Sequence, residues 1–226
     1  MIEQKKECRY KEVVLLNMPQ IQVLIRKLAR DISVNVPYIT EPVLVIGILK
    51  GALFLTADLL RALPFDCDYN FITSSSYVGS RSTTMVTVDM RGLDVKGKTV
   101  ILVDEICDTG YTLTAIKAKM KHFGAKKVYT CVLLDKPSRR EVPIELDFIG
   151  QQIDNHFVLG YGLDEDNTNR TLPYIYYKER ILTNREAHEE AAGMKLEDSF
   201  FLTNNIDPEV DYENKTLRGS QETIQY

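Results

Sequence analysis

Residues 100–114 run Val-Ile-Leu-Val-Asp-Glu-Ile-Cys-Asp-Thr-Gly-Tyr-Thr-Leu-Thr, and no other stretch narrows the possible folds as far. The apolar run 100–103 asks for a strand buried on both faces, the environment of a parallel sheet covered by helices. Asp104 and Glu105 stand where that strand runs out. Asp108-Thr109-Gly110-Tyr111-Thr112 then makes a short turn into a helix. Such a turn offers backbone N–H groups, two hydroxyls and a helix N-terminus, the partners a phosphate seeks. Carboxylates one step earlier suit sugar hydroxyls or a metal ion. The pattern implies a phosphorylated sugar at the carboxyl end of a parallel strand.

The flanking sequence supplies the rest of an α/β alternation. Ile21, Leu24, Ile25, Leu28 and Ile32 recur at helical spacing over 19–33, with Asn17 and Pro19 as start signals. Residues 43–49 read as a buried strand, 52–63 as a helix stopped by Pro64, and 67–74 as a strand. The polar run 74–82 reads as a mobile loop, and 84–90 as a strand with Val86, Val88 and Met90 on one face. A turn at 94–98 carries Gly97. Strand 99–104, helix 112–123 closed by Gly124, and strand 127–134 then form a βαβ unit with parallel strands. Shorter strands near 147–153, 157–161 and 174–177 read as a peripheral hood. Beyond residue 183 the periodicity fades, leaving at most a helix near 184–192.

With 226 residues and 44% hydrophobic content, the chain can bury one sizeable core. Residues 183–226 hold ten acids against four bases, so the −4 net charge leaves the body mildly positive. That balance suits anionic small molecules and argues against a dedicated nucleic-acid binder. The cysteines at 8, 67, 107 and 131 lack CxxC spacing, and residues 1–6 lack an apolar leader core. Reduced thiols in a cytoplasmic protein are therefore expected, with no membrane span. Neither GxGxxG nor a Walker A motif is present, which sets a dinucleotide-binding domain aside.

Val-Asp-Glu-Ile-Cys-Asp-Thr-Gly-Tyr-Thr at 103–112 resembles the signature of the type I phosphoribosyltransferases, which bind 5-phosphoribosyl-1-pyrophosphate. Four more segments resemble the 6-oxopurine branch, the hypoxanthine–guanine phosphoribosyltransferases. These are Leu49-Lys50-Gly51, Ser75-Ser76-Tyr77, Leu134-Asp135-Lys136 and Phe157-Val158-Leu159-Gly160-Tyr161-Gly162-Leu163-Asp164, followed by Arg170 at the family's spacing. The resemblance covers about residues 10–180. It implies an α/β fold: a central, mostly parallel twisted sheet flanked by helices, with a small hood formed by N- and C-terminal segments. One domain is expected over 1–182, its core at about 35–150 and its hood from 10–33 and 150–182. Residues 183–226 are expected to be a weakly ordered acidic extension.

The implied activity is purine salvage. The phosphoribosyl group passes to N9 of hypoxanthine or guanine, with xanthine a third candidate, and pyrophosphate leaves. The resemblance further implies Mg²⁺, purine and phosphoribosyl pyrophosphate as the small-molecule partners, and a homodimer or homotetramer. Residues 108–112 would hold the 5′-phosphate; Tyr111 departs from the small or basic residue expected there, but its N–H can still serve. Asp104 and Glu105 would bind the ribose hydroxyls directly or through the metal, in an order reversed from the usual Glu-Asp. Asp108 is the candidate general base, with N-capping of the helix as its alternative role. Lys50, Gly51 and Arg170 would bind pyrophosphate, with a cis peptide expected in the loop at Lys50-Gly51. Ser76 and Tyr77 would belong to a closing loop. Lys136, Phe157, Val158 and Asp164 would meet the purine, with Asp164 also on a second metal. Taken singly, Lys136 reads as a surface lysine and Phe157 as core. Cys107, near a helix start, is either an activated thiol or an inert apolar filler. A non-catalytic nucleotide-binding regulator is the competing reading, and the retained set of Asp108, Lys136 and Asp164 disfavours it.

Overall fold

Two adjacent parallel strands organise the molecule. In the computed structural model, which describes residues 10–78, 84–89 and 92–181, strands β2 (Val43–Leu49) and β5 (Thr99–Cys107) pair in register from Val43–Thr99 to Gly47–Val103. Their side chains alternate between two cores. Val43, Val45, Ile101 and Val103 face one cluster, and Leu44, Ile46, Ile48, Val100 and Leu102 face the other. Both faces are apolar, so each needs a covering helix.

Helices α1 (Met18–Asn35) and α2 (Leu53–Ala62) cover the first face with Ile21, Ile25, Leu28, Leu55 and Leu59. Asn17 caps α1 reciprocally. Its Oδ1 accepts from Gln20 N at 3.0 Å, and Gln20 Oε1 accepts from Asn17 N at 2.8 Å. Pro19 sits in the first turn, as the sequence predicts. Helix α3 (Tyr111–His122) covers the opposite face with Leu113, Ile116 and Met120.

The sheet runs β4-β3-β2-β5-β6-β7. Strands β3 (Asp68–Val78), β2, β5, β6 (Lys127–Asp135) and β7 (Phe148–Gln152) are parallel, and β4 (Thr84–Val88) is antiparallel at the edge. Because β2 feeds a helix on one face and β5 feeds a helix on the other, the connections diverge at their carboxyl ends. That divergence opens a crevice, the usual ligand position in open α/β sheets. A second sheet, β1-β9-β8, forms the hood from β1 (Tyr10–Leu16), β9 (Ile175–Arg180) and β8 (Val158–Leu159), all antiparallel.

Three expectations need correction, and one expected hood segment gains a strand. Residues 148–152 belong to the main sheet, not the hood: Phe148 pairs with Cys131 in parallel, and its ring is buried in the first core. Residues 18–35 likewise pack on the main sheet, because the apolar stripe of α1 is needed there; only β1 of the N-terminal segment joins the hood. Residues 10–16, not assigned as a strand from sequence, pair with β9. The run starting at Ser74 continues as strand to Val78, since β4 supplies backbone partners from Val88 to Thr84. Ser76 and Tyr77 therefore lie in β3, opposite Val86 and Met85. The expected loop tip at 79–83, Met90, the helix at 184–192 and the acidic extension at 183–226 lie outside the described residues. No helix among the described residues is long and apolar enough to cross a membrane.

Candidate active site

A cavity of about 310 Å³ occupies the crevice between β2 and β5. Of the residues singled out in the sequence, Lys50, Gly51, Asp104, Glu105, Asp108, Thr109, Gly110, Thr112, Asp164 and Arg170 line it. Segments up to 120 residues apart in the chain thus converge. Tyr111, Lys136, Phe157 and Val158 do not line it. Lys136 is buried, tied by its backbone N–H to Cys107 O at 3.0 Å, while Val158 is buried in β8 and Phe157 is 62% exposed.

The turn after β5 is shaped by Gly110, whose φ of 92° is the left-handed conformation that glycine alone adopts freely. Its carbonyl accepts from Thr114 N at 3.1 Å and so starts α3. No side chain caps this helix. The N-capping role considered for Asp108 is therefore not the one seen, and the helix N-terminus is left open toward the cavity. Asp108 Oδ1 instead accepts from Arg139 Nε at 3.2 Å.

Across the cavity the Leu49–Lys50 peptide is cis, as the resemblance implied. Gly51 lies so close to Glu105 that a β-carbon would overlap its carboxylate. Arg170 Nη2 pairs with Asp164 Oδ1 at 2.6 Å, and its Nη1 donates to Gly162 O at 2.6 Å.

Two buried carboxylates side by side are the electrostatic peculiarity of the site. Burial, then the Glu105 charge, pushes the Asp104 carboxyl well above the usual range. Burial raises Glu105 as well, and its Oε2 has no hydrogen-bond partner. An orphaned buried carboxylate oxygen beside a cavity fits a cation or a ligand hydroxyl. Among the described residues no group of three or more His, Cys, Asp or Glu converges. That donor set suits Mg²⁺, which takes one or two carboxylates and completes its shell with water and substrate oxygens.

Sequence reasoning missed the buttress behind the turn. Arg140 pairs with buried Asp135, donates to the Cys107 sulfur, and donates to Asp108 O at 2.7 Å. Glu141 N and Val142 N both donate to Thr109 O at 3.0 Å. The signal was there in Arg139-Arg140, three and four residues after Lys136, but adjacent arginines ordinarily read as solvated. Ser74, at the far wall, was also missed. Burial pushes the Cys107 thiol up to about 11, against a partial lowering by Arg140. That environment favours the inert reading of Cys107 over the activated-thiol reading: the sulfur is buried and accepts from Arg140. Burial lowers the Lys136 ammonium, and the Asp108 charge partly restores it.

A doubly covered parallel sheet with a glycine turn at an uncapped helix N-terminus and paired acids at its switch point is the architecture of a sugar-phosphate-binding α/β protein. The chain matches the phosphoribosyl transferase domain family over residues 14–166. It is 38% identical over 178 residues to the hypoxanthine-guanine phosphoribosyltransferase of Aquifex aeolicus, covering 77% of this chain and 99% of that one. It is 36% identical over 164 residues to the Escherichia coli hypoxanthine phosphoribosyltransferase, covering 72% and 92%. The crystal structure of a Staphylococcus aureus hypoxanthine phosphoribosyltransferase superposes with a TM-score of 0.69 at 31% identity, over 74% of this chain and 91% of that one. One from Bacillus anthracis, a hypoxanthine-guanine phosphoribosyltransferase, gives 0.66 at 33% identity over 76% and 100%. The chain belongs to the type I phosphoribosyltransferase family, in its hypoxanthine–guanine branch.

Proposed function

We propose that this chain is a purine-salvage enzyme that transfers the 5-phosphoribosyl group of phosphoribosyl pyrophosphate to N9 of hypoxanthine or guanine, releasing pyrophosphate. The observation that carries the reading is the single cavity shared by Asp104, Glu105, the 108–112 turn, Lys50-Gly51 and the Asp164–Arg170 pair. The similar proteins are named for hypoxanthine and guanine, and the proposal stops at those two bases.

The 5′-phosphate would sit in the 108–112 turn, on the N–H groups at the start of α3 and the hydroxyls of Thr109 and Thr112. Asp104 and Glu105 would take the ribose hydroxyls, directly or through Mg²⁺. When bound there, Mg²⁺ supplies positive charge against the departing pyrophosphate. Lys50, the N–H of Gly51, and Arg170 would meet the same leaving group. Asp164 lies beside Arg170 as the candidate second metal ligand. As N9 bonds to C1 of the ribose and the C1–oxygen bond breaks, the proton on N7 must leave, and Asp108 is the carboxylate we assign to accept it. Its pair with Arg139 is half-exposed and so exchanges readily. Lys136 would donate to the oxygen at C6, Phe157 would stack on the ring, and the backbone of Val158 would bond its opposite edge. Ser76 and Tyr77, on the strand leading to residues 79–83, would belong to the segment that closes over the site.

A dimeric or tetrameric assembly and a cytoplasmic setting complete the proposal. The latter is supported by free thiols at Cys67, Cys107 and Cys131. Sedimentation of the full chain checks the former. The decisive assay offers hypoxanthine, guanine, xanthine, adenine and orotate with phosphoribosyl pyrophosphate and Mg²⁺. Nucleotide is expected from the first two, and turnover of adenine or orotate alone would overturn the reading.

A further inference from the structure

Helix α2 starts directly after the Lys50-Gly51 loop. Ala52 N donates to Ile48 O at 3.1 Å, and Thr56 N to Ala52 O at 2.8 Å. Phe54 and Asp58, four residues apart, share one face of that helix. Tyr161 of the hood meets both. Its hydroxyl donates to Asp58 Oδ2 at 2.7 Å, and its ring centroid lies 6.1 Å from that of Phe54.

The backbone around Tyr161 is unusual. Tyr161 is buried with φ at 47°, in the left-handed region that bulky side chains rarely occupy. Gly160 and Gly162 on either side also have positive φ, at 97° and 99°. Tyr161 N donates to Leu172 O at 2.9 Å, and Gly162 N to Arg170 O at 2.8 Å. A β-carbon on Gly162 would overlap the carbonyl oxygen of Gly51. The turn that carries Asp164 therefore rests directly on the loop that carries Lys50. The side-chain tie across this contact is one phenol–carboxylate hydrogen bond, from the hood to the helix that the loop launches. None of the roles assigned above uses Tyr161 or Asp58.

We infer that Tyr161 is a positioning residue: its hydrogen bond to Asp58 sets the purine-facing hood turn against the Lys50-Gly51 loop and so couples purine binding to pyrophosphate binding. The inference rests on the function proposed above. Strain at Tyr161 and the close approach of Gly162 to Gly51 make this contact one of discrete fit, so a shift at either end is felt at the other. Burial, then the hydrogen bond to Asp58, pushes the phenol far above its ordinary value. The phenol therefore stays a hydrogen-bond donor to Asp58 across the neutral pH range.

Tyr161→Phe removes one oxygen and keeps the ring. In the hypoxanthine assay with Mg²⁺, the KM values for hypoxanthine and for phosphoribosyl pyrophosphate are both expected to rise about fivefold to tenfold, with kcat changed less than about twofold. Calorimetry with magnesium pyrophosphate, with and without hypoxanthine, reads the coupling without turnover. The wild type is expected to show mutual tightening of the two ligands and the variant to lose it; a wild type without that tightening overturns the inference. Arg61→Ala is the control: Arg61 holds the other oxygen of Asp58 at 2.8 Å from the solvent side, and both KM values are expected to stay at wild type. If Tyr161→Phe loses cooperative unfolding, Asp58→Asn replaces it, with both KM values expected to rise about threefold for the weaker neutral acceptor. Wild-type KM values in the phenylalanine variant, a rise in only one of them, or an equal effect of Arg61→Ala overturns the inference. A wild-type protein that makes no nucleotide refutes the proposed function instead, and the calorimetric coupling then stands or falls by itself.

Discussion

Arg139 Nε lies 3.2 Å from Asp108 Oδ1, with both side chains partly in solvent. An ion pair in that setting contributes about 0–1 kcal/mol and gives way readily to a ligand. Asp108→Asn, which keeps the shape but cannot accept a proton, is expected to lower kcat by about 10²-fold or more, with a much smaller change in the KM for phosphoribosyl pyrophosphate. Arg139→Ala is expected to cost less than about tenfold. Steady-state kinetics of the two variants side by side checks this, and equal losses in kcat and in donor binding for Asp108→Asn would remove the base assignment.

Gly51 has no room for a side chain, because the Glu105 carboxylate fills the space. Gly51→Ala must push that carboxylate or the loop aside by more than about an ångström, because the new β-carbon would fall well inside the contact distance of a carboxylate oxygen. A displacement of that size is expected to lower kcat/KM for phosphoribosyl pyrophosphate by about 10²-fold. The fold should persist, since the clash is confined to the cavity wall. Thermal unfolding measured beside the kinetics separates the two effects.

The Arg140–Asp135 pair is buried, at 16% and 5% side-chain exposure. Gln152 Nε2 also donates to Asp135 Oδ2, at 3.3 Å. Arg140→Ala leaves the Asp135 charge uncompensated, at an expected cost of about 3–5 kcal/mol in unfolding free energy. Denaturant titration measures it. The 107–110 turn loses its tether as well, so the folded fraction is expected to bind phosphoribosyl pyrophosphate more weakly.

Cys107, pushed up to about 11 by burial, is expected to stay a thiol at pH 8. Native-state alkylation at pH 8 is expected to spare Cys107 while the half-buried Cys67 reacts ahead of it. Cys107 should become reactive only as the protein unfolds. Mass spectrometry of timed iodoacetamide labelling shows the order, and rapid native labelling of Cys107 would contradict the assigned environment.

Local chemistry explains which parts of this molecule were readable beforehand. The helix at 18–35 announces itself through Asn17, Pro19 and an apolar stripe, and the cap forms as the pattern demands. The strands at 43–49 and 99–107 are apolar on both faces, and the sheet buries both. The hood was harder to read because β8 has two residues and β1 alternates weakly, so neither carries a period long enough to recognise. Strand β7 was misassigned for a related reason: five residues do not say which sheet edge is free to receive them.

The site divides the same way. The 103–112 segment determined its own strand, its turn and its pair of acids, because those depend on neighbours within a few residues. Tertiary structure alone decided that Gly51 would press on Glu105, that Arg140 would stand behind the turn, and that Tyr161 would reach Asp58 across 103 positions. Close packing makes those choices. Which atoms may touch is set by the space left once the sheets and helices of the described residues have buried their apolar faces, and no local pattern encodes that space.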